Sequence, residues 1–501
     1  MASLEILRDV VISNELSYYA EHKSIVSLNF INSRSSALVA LDSRDPSIQY
    51  HAAWWLGKHR IKNAVPKLLE LLTDEKKVIC VADGRYLLRR QIVRALGLIG
   101  DKSSLEGLIN TLWTDDPRLH EAAIRSLVQI GDASCIESLI KYFDVEFEQK
   151  PVESLIEALT VFKVWHLEER IKPYLSHPSA RVLGAASAYL FAINRDMKYL
   201  DAIKDNLSHQ NKFIRQSAVF DLALVRASEC ISDIIEAQVP GSIKLYSLKI
   251  ILESELKQNP FTKGSGLSQQ NQLLFEVIDD LTTDGIEGNL VQGSTTENLK
   301  HCFQACSVYD GKQRQVTTQR ATHPLESSVE LLKSSSIEDR FRGIEMLVNS
   351  SSMDISFIKD MYSSVSDQDV RAGLIQAMAL LLRVETIPEL IDTIGLEVSN
   401  HCQGRIRRVA ARALGAVGKN VQDEAVLDQI LEKLVWTLRY PDDWALRYSA
   451  AVALEDIGLV NIVRVSRLVE TAILQEKDLT VLTRLMITHQ RFSPEALHLA
   501  K

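Results

Sequence analysis

Between Arg405 and Gly418 the hydrophobic positions fall in a helical rhythm. Ile406, Val409, Ala410, Ala413, Leu414 and Val417 recur at spacings of three and four and share one face, while Arg405, Arg408 and Arg412 share the other. This predicts an amphipathic helix that ends at Gly418, with Ser399 or Asn400 as its N-cap. His401 and Cys402 then belong to the first turn, where free backbone N–H groups and the helix dipole favour an anionic thiolate.

The same unit recurs. Aligned on the closing glycine, Arg89–Gly100 repeats Arg407–Gly418, with Arg94 over Arg412 and Gly97 over Gly415. Looser copies are His120–Gly131 and Arg447–Gly458, and fainter ones Arg215–Leu224 and Arg371–Leu382. Second amphipathic stretches such as Ala64–Leu72 and Leu427–Leu438 lie between them, with Asp-rich turns at Asp115-Asp116-Pro117 and Pro441-Asp442-Asp443. Paired helices at a period of roughly 30 to 45 residues predict an all-α fold, an α-solenoid resembling HEAT-like repeats. Residues 1–31 read as an N-terminal cap, 32–257 as a first array, 258–324 as a linker or insertion and 325–501 as a second array. The linker reading rests on Gly, Ser, Thr and Gln enrichment, interrupted by one helical island, Leu273–Leu281.

Composition narrows the function classes. The chain has 501 residues and a formal net charge of −8, which argues against nucleic acid as a partner. Apolar runs stop short of the roughly 18 residues that span a bilayer, and Glu5, Arg8 and Asp9 stand where a signal peptide needs hydrophobic residues. No membrane association and a cytoplasmic location are expected. Six irregularly spaced cysteines suit a reducing compartment. His301, Cys302 and Cys306 read as part of a short helix with half-buried thiols, so no metal site is expected.

Three clusters carry candidate chemistry. Tyr50–Arg60 is aromatic and cationic, and its Trp54 and Trp55 stand about 100° apart on a helix, so one of them is expected to reach the surface. Arg85–Arg90 is arginine-rich. In the third, Asp443 and Arg447 are spaced for an i, i+4 ion pair, and Trp444 and Tyr448 for a ring contact.

Asn400-His401-Cys402-Gln403-Gly404, followed by an arginine-rich Ala-Leu-Gly helix, resembles the isomerase motif of phycobilin lyase-isomerases. The stretches Trp54–Arg60, Arg85–Arg90 and Asp443–Tyr448 are similar to the E/F-type phycobilin lyases of cyanobacteria, HEAT-like proteins that attach open-chain tetrapyrroles to phycobiliprotein cysteines. The order looks like an E-type array, a linker and an F-type array in one polypeptide. The resemblance implies attachment of phycoerythrobilin to a phycobiliprotein α subunit and isomerisation to phycourobilin, with the bilin as substrate and no cofactor. It gives His401 and Cys402 the isomerase roles. A bilin's propionates suit Arg89, Arg90, Arg407, Arg408 and Arg447, its pyrrole N–H groups suit Asp443, and its rings suit Trp54, Trp444 and Tyr448. A lyase without isomerase activity and a noncatalytic HEAT-type adaptor are the rival readings.

Overall fold

The computed structural model describes residues 31–492 apart from 74–84, 148, 263–265, 284–323, 335–336, 351–354, 396–403 and 441–442. All regular structure among the described residues is helical, and the helices form an α-solenoid of HEAT-like repeats. Contacts divide the chain into two units, Met1–Ala227 and Ser228–Lys501. The division falls ahead of the 258–324 interval. That interval contributes a helix, Gln269–Thr283, longer than the expected island, to the second unit.

In the first unit the helices Pro46–Lys58, Arg85–Ile99, Pro117–Ile130, Val152–Val161, Ala180–Asn194 and Lys212–Leu224 stack in succession. Shorter helices such as Val65–Thr73 and Leu105–Asn110 pack beside their own partners. The starts of these helices follow from local chemistry. Asp45 and Asp116 accept a hydrogen bond from the backbone N–H two residues on, and each is followed by proline at the first helical position.

Glycine sets the spacing of the stack. A Cβ on Gly57 would lie 2.8 Å from Ala95 Cα, one on Gly97 2.7 Å from Ser126 Cβ, and one on Gly415 2.6 Å from Ala453 Cα. These three glycines share one repeat position, and at each the next helix of the stack comes closer than a side chain allows. Seven residues before Gly97 and Gly415 the same face carries an arginine. Arg90 makes a forked pair with Asp116, at 3.0 and 3.1 Å, and Arg408 makes one with Asp443, at 3.1 Å to each oxygen. Asp116 and Asp443 are the N-caps of the next helices in the stack.

A second recurring contact sits eleven residues before each closing position. Here Gln49 donates to Leu41 O, Arg215 to His209 O, Arg407 to Ile394 O and Arg447 to Tyr440 O, fastening each helix to the end of the one before. In the His120 copy, Nε2 faces Thr114 O at 2.6 Å and Nδ1 faces Tyr142 OH at 2.9 Å. A carbonyl only accepts, so Nε2 carries the proton and Nδ1 accepts from the tyrosine. Gly100 and Gly131 close their helices at φ of +69° and +71°. Gly418, the expected end of its helix, is the helix's last residue and packs under Ile457.

The second unit stacks Pro324–Leu332, Ile337–Ser350, Gln368–Leu381, Gly404–Gly418, Trp444–Gly458 and Leu479–Arg491, with Ile387–Ile394, Glu424–Leu438 and Ile462–Gln475 alongside. Helix Gln269–Thr283 lies across Gly404–Gly418 and Trp444–Gly458, and helix Gly241–Gln258 against Leu479–Arg491. Among the described residues no helix is long and apolar enough to cross a membrane.

Two outcomes follow. Gly415→Ala should lower stability by about 1–3 kcal/mol through overpacking against Ala453, although alanine is the better helix former by about 1 kcal/mol; an unchanged urea midpoint would contradict the close approach. Burial lowers the His120 pKa, so the unfolded chain binds more protons below its ordinary pKa of 6.5. Stability from neutral His120 is therefore present above pH 6.5 and is lost as pH falls. Thermal melts from pH 7.5 to about pH 5.5 should show a steeper loss for the wild type than for His120→Gln.

Candidate functional site

His401 and Cys402 fall in 396–403, outside the described residues. The flanks of that interval are held tightly. Arg407 is 3% exposed, donates from Nε to Ile394 O at 2.6 Å, and lays its guanidinium over the Tyr440 ring at 4.4 Å. Lys433 donates to Gly395 O at 2.8 Å and sits 4.3 Å from the centre of the Trp436 ring. Burial, with Arg407 nearby, lowers the Lys433 pKa. On the other flank, Gly404 abuts the Arg408–Asp443 pair: a Cβ there would stand 3.5 Å from Asp443 Oδ2 and 3.7 Å from Arg408 Nη2. Cations thus meet the backbone on the N-terminal side of the interval, and the Arg408–Asp443 ion pair stands beside Gly404 on the other. Arg407 Nη2 is itself buried, without a hydrogen-bond partner among the described residues.

Several expected pairings are revised. Asp443 does not pair with Arg447. Its carboxylate turns back to cap its own helix, accepting from Leu446 N at 3.0 Å, and takes the Arg408 fork from the preceding helix of the stack. Arg447 instead forks onto Glu476, at 2.8 and 3.2 Å. Arg408 is half-buried, because the face expected to be polar meets the next helix. Tyr448 is 0% exposed and so offers no face to a ring ligand here. Phe275 stacks on it at 6.5 Å and Asp279 accepts from its hydroxyl at 2.7 Å, both from helix Gln269–Thr283. Trp444 does meet Tyr448, edge to face at 6.3 Å, and Lys249 Nζ lies 4.9 Å from its ring centre.

In the first unit, Trp54 and Trp55 are both half-buried. Lys58 Nζ stands 5.2 Å from the Trp54 ring centre, and Trp55 packs on His59 at 3.9 Å. Arg89 is half-buried on the helix whose Arg90 clamps Asp116.

Of the cysteines, Cys135 and Cys230 are buried, and burial pushes the Cys135 thiol up to about 11, which makes it a poor nucleophile. Cys80, Cys302, Cys306 and Cys402 lie outside the described residues, as does His301. Sequence reasoning missed Lys249, Asp279, Lys433 and Tyr440. Only the helical island at Leu273–Leu281 pointed toward Asp279, since its apolar spacing implies a packed face.

Comparison with known proteins adds the lineage. Residues 48–74 match the PBS lyase HEAT-like repeat, and residues 77–160 match HEAT repeats. Bilin biosynthesis protein PecE of Mastigocladus laminosus is 39% identical over 259 residues, covering 50% of this chain and 95% of that protein. PecF of the same organism is 42% identical over 115 residues, covering 23% of this chain and 54% of that protein. Among solved structures, the complex of CpcE and CpcF of phycocyanin lyase from Nostoc sp. is 30% identical, covers 50% of this chain and 95% of that one, and has a TM-score of 0.43. The length and extent of the PecE match, together with the repeat match at residues 48–74, establish that the chain belongs to the E/F-type phycobilin lyase family.

Proposed function

We propose that the protein is a phycobilin lyase-isomerase: it attaches phycoerythrobilin through a thioether to a cysteine of a phycobiliprotein α subunit and converts it to phycourobilin. The observation that carries this reading is that one chain is similar both to PecE and to PecF and holds the His401-Cys402 motif.

Attachment is an addition. The acceptor's S–H bond breaks, a C–S bond forms at the ring A ethylidene, and a proton is delivered to the ring, so the enzyme supplies orientation and a proton path. Isomerisation moves a methine-bridge double bond into ring A without net oxidation. A proton leaves one carbon and another arrives elsewhere, work suited to an imidazole titrating near neutrality. Cys402 adds transiently as thiolate, loosening the double-bond system, and then departs. Arg407 and Lys433 hold the backbone that leads into the interval carrying His401 and Cys402. Of the residues named for bilin contacts, Trp54 and Arg89 in the first unit and Trp444 in the second are half-buried. Arg90, Arg408 and Asp443 act through the helix clamps, and Arg447 through its fork onto Glu476.

Incubating the protein with phycoerythrobilin and a candidate α subunit should give a covalent product whose absorption lies to the blue of the substrate. Cys402→Ala should still attach bilin and leave the spectrum unshifted; a blue-shifted product from that variant would remove Cys402 from the mechanism. An unshifted wild-type adduct would indicate a lyase alone, and no adduct an adaptor. Asp443→Asn should lower the melting temperature, with Arg408→Ala coupled to it by about 0.5–3 kcal/mol in a double-mutant cycle. Loss of attachment with no change in melting would mean that Asp443 acts directly on the bilin.

A further inference from the structure

Between helices Glu424–Leu438 and Ile462–Gln475 the second unit contains a cavity of about 450 Å³, within the roughly 300–1,000 Å³ that small-molecule sites occupy. Val435, Leu468 and Ala472 give it an apolar wall, and Thr471 and Gln475 add polar groups. Arg439 and Lys477 also line it; both are exposed, and neither side chain has a partner among the described residues. The Arg447–Glu476 fork closes another part of the lining and is internally neutralised, so the net charge that the cavity presents is cationic. Tyr440 lines the cavity too, with Arg407 over its ring at 4.4 Å.

We propose that this cavity binds an amphipathic carboxylate, its anionic end between Arg439 and Lys477 and its apolar body against Val435 and Leu468. Two sources share that chemistry, a propionate-bearing bilin and a fatty acid; the bilin source rests on the lyase reading above. An apolar wall with two uncommitted cations favours this class over a neutral ligand, which leaves the cations idle, and over a phosphate, which makes no use of the walls.

The test uses the full chain, titrated with biliverdin, biliverdin dimethyl ester and laurate, followed by absorbance and tryptophan fluorescence. Arg439→Glu with Lys477→Glu changes exposed positions and should leave the melting temperature unaltered. It should weaken the acid ligand that binds by about tenfold or more, close to 1.4 kcal/mol. Ala472→Trp, filling the cavity, should weaken the same ligand. Biliverdin binding that is lost in the ester and in both variants identifies a bilin occupant. Laurate binding lost in both variants, with biliverdin binding absent, identifies a fatty acid. Affinities insensitive to both variants overturn the site. If the wild type attaches phycoerythrobilin while those affinities stay insensitive, the lyase reading stands and the cavity proposal falls. If biliverdin binds through the cavity and no bilin is attached, the reverse holds.

Discussion

A pair of contacts seven residues apart fixes how one helix sits on the next. At one end an arginine forks onto the N-cap aspartate of the following helix, as in Arg90–Asp116 and Arg408–Asp443. Two turns later a glycine lets the backbones close, Gly97 on Ser126 and Gly415 on Ala453. Each aspartate thereby caps its helix and receives a guanidinium, and the charge-assisted hydrogen bonds have a defined geometry. One contact alone would leave the helices free to pivot. Two points on the same face set both register and spacing, and everything held by the stack inherits that precision.

The last interface shows what happens when both contacts are replaced. Tyr448 occupies the position of Arg408, and Glu455 that of Gly415. The cap residue Asp478 then takes its cation from elsewhere, Lys249 Nζ at 3.0 Å, and Glu455 accepts from Arg484 and Thr488, each at 2.8 Å. Although burial opposes ionisation, Arg484 and Arg491 hold the Glu455 carboxyl below its ordinary pKa. A side chain in the glycine position requires a wider interface, and buried charge fills it only because each charge is paired. Lys249 and Asp279 come from helices Gly241–Gln258 and Gln269–Thr283, and the tyrosine replacement, donating to Asp279, ties helix Gln269–Thr283 to Trp444–Gly458. This is also why Tyr448, chosen as a ring contact, is sealed beneath Phe275.

Much of the architecture was legible because period and glycine placement are local signals. The matching stretches Arg89–Gly100 and Arg407–Gly418 mark helices of the same role, and the Asp-Pro at Asp116 marks a helix start. Partnership was less legible. The spacing of Asp443 and Arg447 fits an i, i+4 pair, yet the N-cap conformation at Asp443 turns its carboxylate away, and Arg408, 35 residues earlier, is the group that reaches it. Likewise Gln49, His120, Arg215, Arg407 and Arg447 do one job, donating to a carbonyl at the end of the preceding helix, with three different chemistries. No residue-type pattern reveals that equivalence; only the shared backbone position does.

The same contact gives Arg407 a particular standing. Its Nε is spent on Ile394 O and its face on Tyr440, while Nη2 remains buried without a partner among the described residues. Leaving such a donor unsatisfied costs about 1–3 kcal/mol, more where the group is charged. A glutamine, which serves at position 49, would satisfy the carbonyl at lower desolvation cost. Arginine therefore brings something beyond fastening the helix. What it brings is a fixed positive charge held between the Ile394 carbonyl and the Tyr440 ring.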